Sequence, residues 1–155
     1  VAVDELTIRR NIQTALEAIS VANGYRTNVA RVERFVRPIE NVRVRPSVCW
    51  AVTDIDYTGH EGGDRLAALM RLSVIGHVRA SSAEDREDKI CHIADDIIGA
   101  MLADPGRGLD ADGPNAIVTR VRGQRDTVTE SEEADAFVVI DFEVEYMRPA
   151  GRSPA

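Results

Sequence analysis

Residues 65–79, RLAALMRLSVIGHVR, carry the pattern that decides the fold. Leu66, Ala68, Met70, Leu72, Val74, Gly76 and Val78 alternate with Arg65, Arg71, Ser73, His77 and Arg79. A strand sends successive side chains to opposite faces, so this stretch predicts one long strand with an apolar face and a largely polar one. The same alternation returns in residues 136–147, AFVVIDFEVEYM. There Val138, Ile140, Phe142, Val144 and Tyr146 fall on one side, and Asp141, Glu143 and Glu145 on the other. Strands with one apolar face each need a second layer to cover it.

Two segments can supply that layer. In residues 4–20, Ile8, Ile12, Ala15, Leu16 and Ile19 recur at helical spacing, with Arg9, Arg10, Gln13 and Glu17 opposite. Asp4 is placed to cap this helix, and Asn23-Gly24 to end the segment. Further on, Ser81 and Glu84 fit a capping box that opens a second helix. Its stripe is Ile90, Ile93, Ala94, Ile97, Ile98, Met101 and Leu102, and Asp104-Pro105-Gly106 stops it. Around these, residues 29–36 and 47–57 read as strands separated by a proline-bounded loop, Arg37 to Pro46. Thr58 to Gly63 reads as the turn of a hairpin onto residues 65–79. Residues 105–115 read as a loop, 116–122 as a further strand, and 124–135 as a polar, acidic connection. The order predicts an α+β fold: a two-layer sandwich in which two main helices pack on one face of a mostly antiparallel sheet. One domain is expected over residues 1–148, with a flexible tail at 149–155.

Composition narrows the function classes. With 155 residues, 44% hydrophobic and 29% charged, the chain is not disordered as a whole. Its apolar runs reach about five residues, far short of the ~20 a membrane-spanning helix needs. The opening VAVDELTIRR has no apolar core of a signal peptide. A net charge of −7 speaks against bulk affinity for nucleic acid. Cys49 and Cys91 are too few for a disulfide framework and are expected as buried thiols. Lys89 is the only lysine among nineteen basic residues, and arginine favours planar, bidentate ion pairs.

The residues that could carry chemistry are scattered. His60 sits in the glycine-rich turn, His77 on a polar strand face and His92 on the second helix, with no metal-ligand spacing among them. All three are expected at the surface or rim. Cys49 is expected in the core; a Cys49–His77 pairing across neighbouring strands is conceivable, but no motif orients it. Asp54 with Asp56, and Asp95 with Asp96, are expected to be solvated or paired with arginine. The glycines at 59–63 lack the Lys-Ser/Thr of a phosphate loop. Glu130, Glu132, Glu133 and Asp135 form an acidic block, read as a hairpin tip or as a loop projecting into a lumen or towards a partner. No catalytic, cofactor or metal site is expected from this inventory, which points to a structural or binding part rather than an enzyme.

One stretch goes further. Ile8 to Phe35, IRRNIQTALEAISVANGYRTNVARVERF, resembles the start of phage tail terminator and related tail-completion proteins. The residues that carry the resemblance are Leu16, Ile19, Ala22, Asn23, Gly24, Tyr25, Thr27, Val32 and Arg34. Pro46-Ser47-Val48, the strand from Leu72 to Arg79, the helix from Ala94 to Pro105 and the strand from Phe142 to Tyr146 follow in the family's order. The resemblance implies a virion protein of the tail neck, present in the host cytoplasm during assembly. It implies a homo-oligomeric, hexameric ring that caps the head-proximal end of the tail tube, stops its polymerisation and offers a surface to the head connector. Its partners would be further copies of itself, the tail tube protein and the connector, with no cofactor, no membrane and no sequence-specific nucleic acid, although DNA would pass through the ring. A closed ring needs two different patches per subunit. Arg65, Arg71 and Arg79 are the candidates for one, and Asp141, Glu143 and Glu145 for the other. Two alternatives stand beside this reading: a head-completion or head–tail adaptor subunit, and a small α+β enzyme using Asp54, Asp56 and His77.

Overall fold

In a computed structural model, the alternating stretch 65–79 is the central strand of a five-stranded sheet. The structure describes residues 5–36, 42–60, 65–104, 117–126 and 135–149. The elements are α1 (Glu5–Glu17), a 3-10 turn (Val21–Asn23), β1 (Arg31–Glu33), β2 (Ser47–His60), β3 (Arg65–Arg79), α2 (Ala83–Leu102), β4 (Val118–Asp126) and β5 (Asp135–Pro149). The sheet order is β1-β2-β3-β5-β4. All neighbours are antiparallel except β1, which runs parallel to β2 over three residue pairs. This is the expected α+β sandwich with a mostly antiparallel sheet.

Both helices lie on one face, because only that face is continuously apolar. Ala68, Met70, Leu72, Val74 and Val78 of β3 and Ala136, Val138, Ile140, Phe142, Val144 and Tyr146 of β5 are buried there. Onto them α1 brings Ile8, Ile12 and Leu16, followed by Ile19, all without solvent exposure. From α2 come Ile90, Ile93, Ala94, Ile97, Ala100 and Met101. Each fully buried Ile or Leu contributes about 1.5–3 kcal/mol relative to an exposed one, so these stripes hold the layers together. Gly76 sets how closely they approach. A Cβ at that position would lie 3.0 Å from Ile93 Cδ1 and 3.1 Å from Ile97 Cδ1. The bare backbone therefore lets α2 settle against β3. Gln13, expected on the solvent side of α1, instead joins three elements: it accepts from Trp50 Nε1 at 2.8 Å and donates to the Val32 carbonyl at 3.1 Å.

Several boundaries differ from the expectations. The first helix stops at Glu17, and the chain then makes a 3-10 turn closed by Gly24 at φ 90°, a left-handed conformation that glycine tolerates. Its proposed cap, Asp4, lies outside the described residues. The cap of α2 is Ser82, one residue later than expected: its hydroxyl accepts from the Asp85 N–H at 3.1 Å, while the Asp85 carboxylate accepts from the Ser81 N–H at 2.9 Å. Thr58-Gly59-His60 is not a turn but the end of β2, because pairing continues to His60 opposite Leu66; Glu61 to Gly63 lie outside the described residues. The strand expected at 29–36 shrinks to β1, whose pairing spans only Ser47 to Cys49 of its neighbour. Leu102, expected in the α2 stripe, is exposed. β5 runs through Pro149, the first residue of the expected tail, and residues 150–155 are outside the described set. No described helix is long and apolar enough to cross a membrane.

Candidate functional site

The two described helices pack on one face of the sheet, and the charged residues singled out in the sequence converge on the other. The register lines up Asp54 of β2, Arg71 of β3, Glu143 of β5 and Arg120 of β4 as direct cross-strand neighbours. Directly opposed residues point to the same face, so signs alternate across four strands. Arg71 binds both Asp54, at 2.8 Å, and Asp56; these two carboxylates hold its guanidinium above the ordinary arginine pKa. Glu143 pairs with Arg122 at 2.8 Å, and Glu145 with Arg120 at 2.8 Å. Asp141 accepts from the Ser73 hydroxyl at 2.7 Å and pairs with Arg125.

Arg71 and the acidic residues Asp141, Glu143 and Glu145 share one face of the sheet, as the alternation predicts; what the alternation leaves open is which of them stand side by side. Cross-strand pairing places like-numbered faces of adjacent strands side by side, and single-sequence reading cannot see which strands are adjacent. Arg65 opens β3 opposite Pro149. Arg79, at the other end of β3, faces Asp135 in register, with its Nε 3.6 Å from that carboxylate. Asp135 thus belongs to the start of β5 rather than to a projecting loop, since Arg79 and Arg45 hold it in place. Glu130, Glu132 and Glu133 lie outside the described residues.

The two long flanks of this face differ in sign. β1 pairs only with residues 47–49, so β2 from Trp50 onward has no described neighbour on that side, and it carries the half-exposed Asp54 and Asp56. On the opposite flank the edge strand β4 carries Arg120, Arg122 and Arg125, all more than half exposed. A break in register between Val121 and Gly123 and the charged side chains guard this edge against indiscriminate strand pairing.

Beyond the charged rows lies the pair the sequence could not orient. Cys49 Sγ and His77 Nε2 are 3.6 Å apart and both side chains are buried. Ser47 opposes His77 in register, and Val42 to Val44 line a small cavity of ≈ 60 Å³ above them. His77 is thus not a rim residue: its ring also meets Phe137 at a centroid distance of 5.9 Å. Burial, with help from Arg45, pushes its pKa down to about 4, against the opposing pull of Asp135. The imidazole is neutral at pH 7 and so offers the Cys49 thiol no positive charge.

The Asp54, Asp56 and His77 of the enzyme reading do not meet. Asp54 and Asp56 oppose Arg71 and Leu69, six and eight residues along β3 from His77, or about 20 Å and more at ~3.3 Å per residue. Asp95 is exposed, but Asp96, expected to be solvated or paired with an arginine side chain, is buried. Both its carboxylate oxygens accept from the Arg26 backbone N–H at 3.1 Å, tying the loop after the 3-10 turn to α2. Cys91, expected inside, is exposed on α2. Among the described residues, no group of three or more His, Cys, Asp or Glu could hold a metal ion. The chain matches no known family model and no curated protein sequence.

Proposed function

We propose that this chain is a structural ring subunit of the phage tail terminator type, which caps the head-proximal end of the tail tube, stops its growth and docks the head connector. The observation that carries this reading is the unlike charge of the sheet's two flanks. Asp54 and Asp56 stand on one, and Arg120, Arg122 and Arg125 on the other. A head-to-tail contact that closes into a ring needs two different, complementary surfaces on each subunit. Charge complementarity of this kind fixes register and suppresses wrong partners. The resemblance of Ile8 to Phe35 to tail-completion proteins supports the choice of ring.

Arg71 is a poor probe of such a contact, because its reversal would surround a new carboxylate with Asp54, Asp56 and Glu143 inside one subunit. Arg120 and Asp54 stand on the flanks themselves, and the pairs that their reversal breaks, with Glu145 and Arg71, are solvent-exposed. Arg120→Glu and Asp54→Arg are each expected to remain monomeric in sedimentation velocity, whereas an equimolar mixture assembles; a mixture that stays monomeric would remove the flank-to-flank contact. The function itself is tested by electron microscopy of particles assembled without this gene product. Overlong, headless tails are expected. Tails of normal length left unjoined to heads would make the protein a head–tail adaptor, and ordinary virions would refute both.

A further inference from the structure

A second concave surface lies away from the charged sheet face, where the loop after the 3-10 turn, the start of β2 and the first half of α2 meet. It is a cleft of ≈ 420 Å³, within the range of small-molecule sites. Four permanent cations line it: Arg26, Arg45, Arg79 and Lys89, joined by the imidazole of His92. In a chain of net charge −7 such a gathering needs a reason. We propose that this cleft binds a small anion bearing a phosphate or diphosphate group.

Carboxylates stand beside several of these cationic groups. Asp135 is shared between two guanidiniums, 3.4 Å from Arg45 Nε and 3.6 Å from Arg79 Nε. Asp85 serves Lys89 at 3.1 Å. The buried Asp96 spends both oxygens on the Arg26 main-chain N–H. The Arg26 side chain has no ion-pair partner among the described residues and stands exposed at the cleft wall.

The site is also held in shape. The Arg45 side chain is only 11% exposed. Lys89 donates to the Arg79 carbonyl at 2.9 Å, which ties α2 to the end of β3. Asp96 anchors the loop that carries Arg26, Thr27 and Asn28. Arg45 and Lys89, positioned in this way before binding, lose little freedom on it, whereas the Arg79 side chain, 70% exposed, is ordered by the ligand. Guanidinium forks match phosphate oxygens two at a time, and four cations gathered in one cleft suit a group that carries about −1.5 to −2 at neutral pH. The cleft's size and the acidic remainder of the molecule favour a compact ligand over a polyanion. This inference does not depend on the ring reading, since no residue of either flank takes part.

The test is calorimetric titration of the full chain with inorganic pyrophosphate, ATP, citrate and a short DNA duplex at equal ionic strength. Saturable binding of pyrophosphate or ATP is expected, weakened ~10- to 100-fold by Arg26→Ser or Lys89→Ser and unchanged by Arg10→Ser, at an exposed position of α1 outside the cleft. Tighter binding of ATP than of pyrophosphate would identify a nucleotide as the source of the phosphate, and equal binding a free polyphosphate. The proposal is overturned if neither binds, if citrate binds as well, if only the duplex binds, or if the two cleft variants bind like the wild type. Arg26→Ser removes an exposed side chain, so its melting temperature should match the parent and keep the comparison clean.

Discussion

Acidification should weaken this protein through His77 in a way that one substitution abolishes. The imidazole is 2% exposed and faces the Cys49 thiol and the Phe137 ring, with Arg45 and Asp135 as the charged groups acting on it. Burial first, then Arg45, hold its pKa at about 4 against an ordinary 6.5. Between those values the unfolded chain takes up a proton that the folded chain refuses. The stability present above pH 6.5 is therefore lost progressively as the pH falls towards 4. At about 1.4 kcal/mol per pH unit, the loss is roughly 3 kcal/mol, a large share of a typical domain stability of ~5–15 kcal/mol. The assay is urea unfolding of the wild type and His77→Phe from pH 7 to 4. Phenylalanine keeps a ring beside Phe137 and cannot charge. The wild type's stability relative to the variant should fall by roughly 3 kcal/mol across that range. Parallel profiles would refute the argument. So would an NMR titration of the wild-type His77 ring with a midpoint near 6.5, a measurement that stands even if the variant folds poorly.

Other substitutions probe the scaffold. Asp96→Ala removes the carboxylate that anchors the Arg26 main chain and should cost about 1.5–3 kcal/mol in chemical denaturation; no measurable loss would mean that the loop is held by something else. Gly76→Val forces a branched side chain against Ile93 and Ile97, at a cost of about 1–3 kcal/mol, and a melting temperature equal to the wild type's would contradict the close approach of α2. A thiol reagent should label Cys91 in the native protein at once and Cys49 only on unfolding, since one is exposed and the other 3% exposed. Equal labelling rates would show that the Cys49–His77 cavity opens freely.

Much of the candidate site was legible as residues but not as a site. The alternation in 136–147 assigned Asp141, Glu143 and Glu145 to the polar face, and that in 65–79 did the same for Arg71. Their partners were invisible, because the strands that carry Asp54, Arg120, Arg122 and Arg125 become neighbours only through the order β2-β3-β5-β4. A register shift between Val52 and Asp54 brings Asp54 opposite Arg71, and no local pattern announces a bulge. The basic cleft was hidden for the same reason, since Arg26, Arg45, Arg79 and Lys89 are spread over more than sixty residues. Helix faces were read well where large apolar residues dominate and poorly at small or polar positions. Cys91 and Asp96 traded their expected environments because a partner in the fold, the Arg26 N–H, satisfies the aspartate, while the α2 stripe turns Cys91 outward.

What the chain determines by itself is the layer each residue joins. Side-chain periodicity is a property of local backbone geometry, and it separates the isoleucine stripes of α1 and α2 from the charged rows of β3 and β5 before any long-range contact is known. Which charges meet, and which stay open to a ligand or a neighbour, was decided only by the tertiary structure. Strand order and register are settled by burying the apolar face as a whole. The polar face inherits its pairs from that choice: the row Asp54–Arg71–Glu143–Arg120 exists because Trp50, Met70, Leu72, Phe142 and Val144 had to close together beneath the helices.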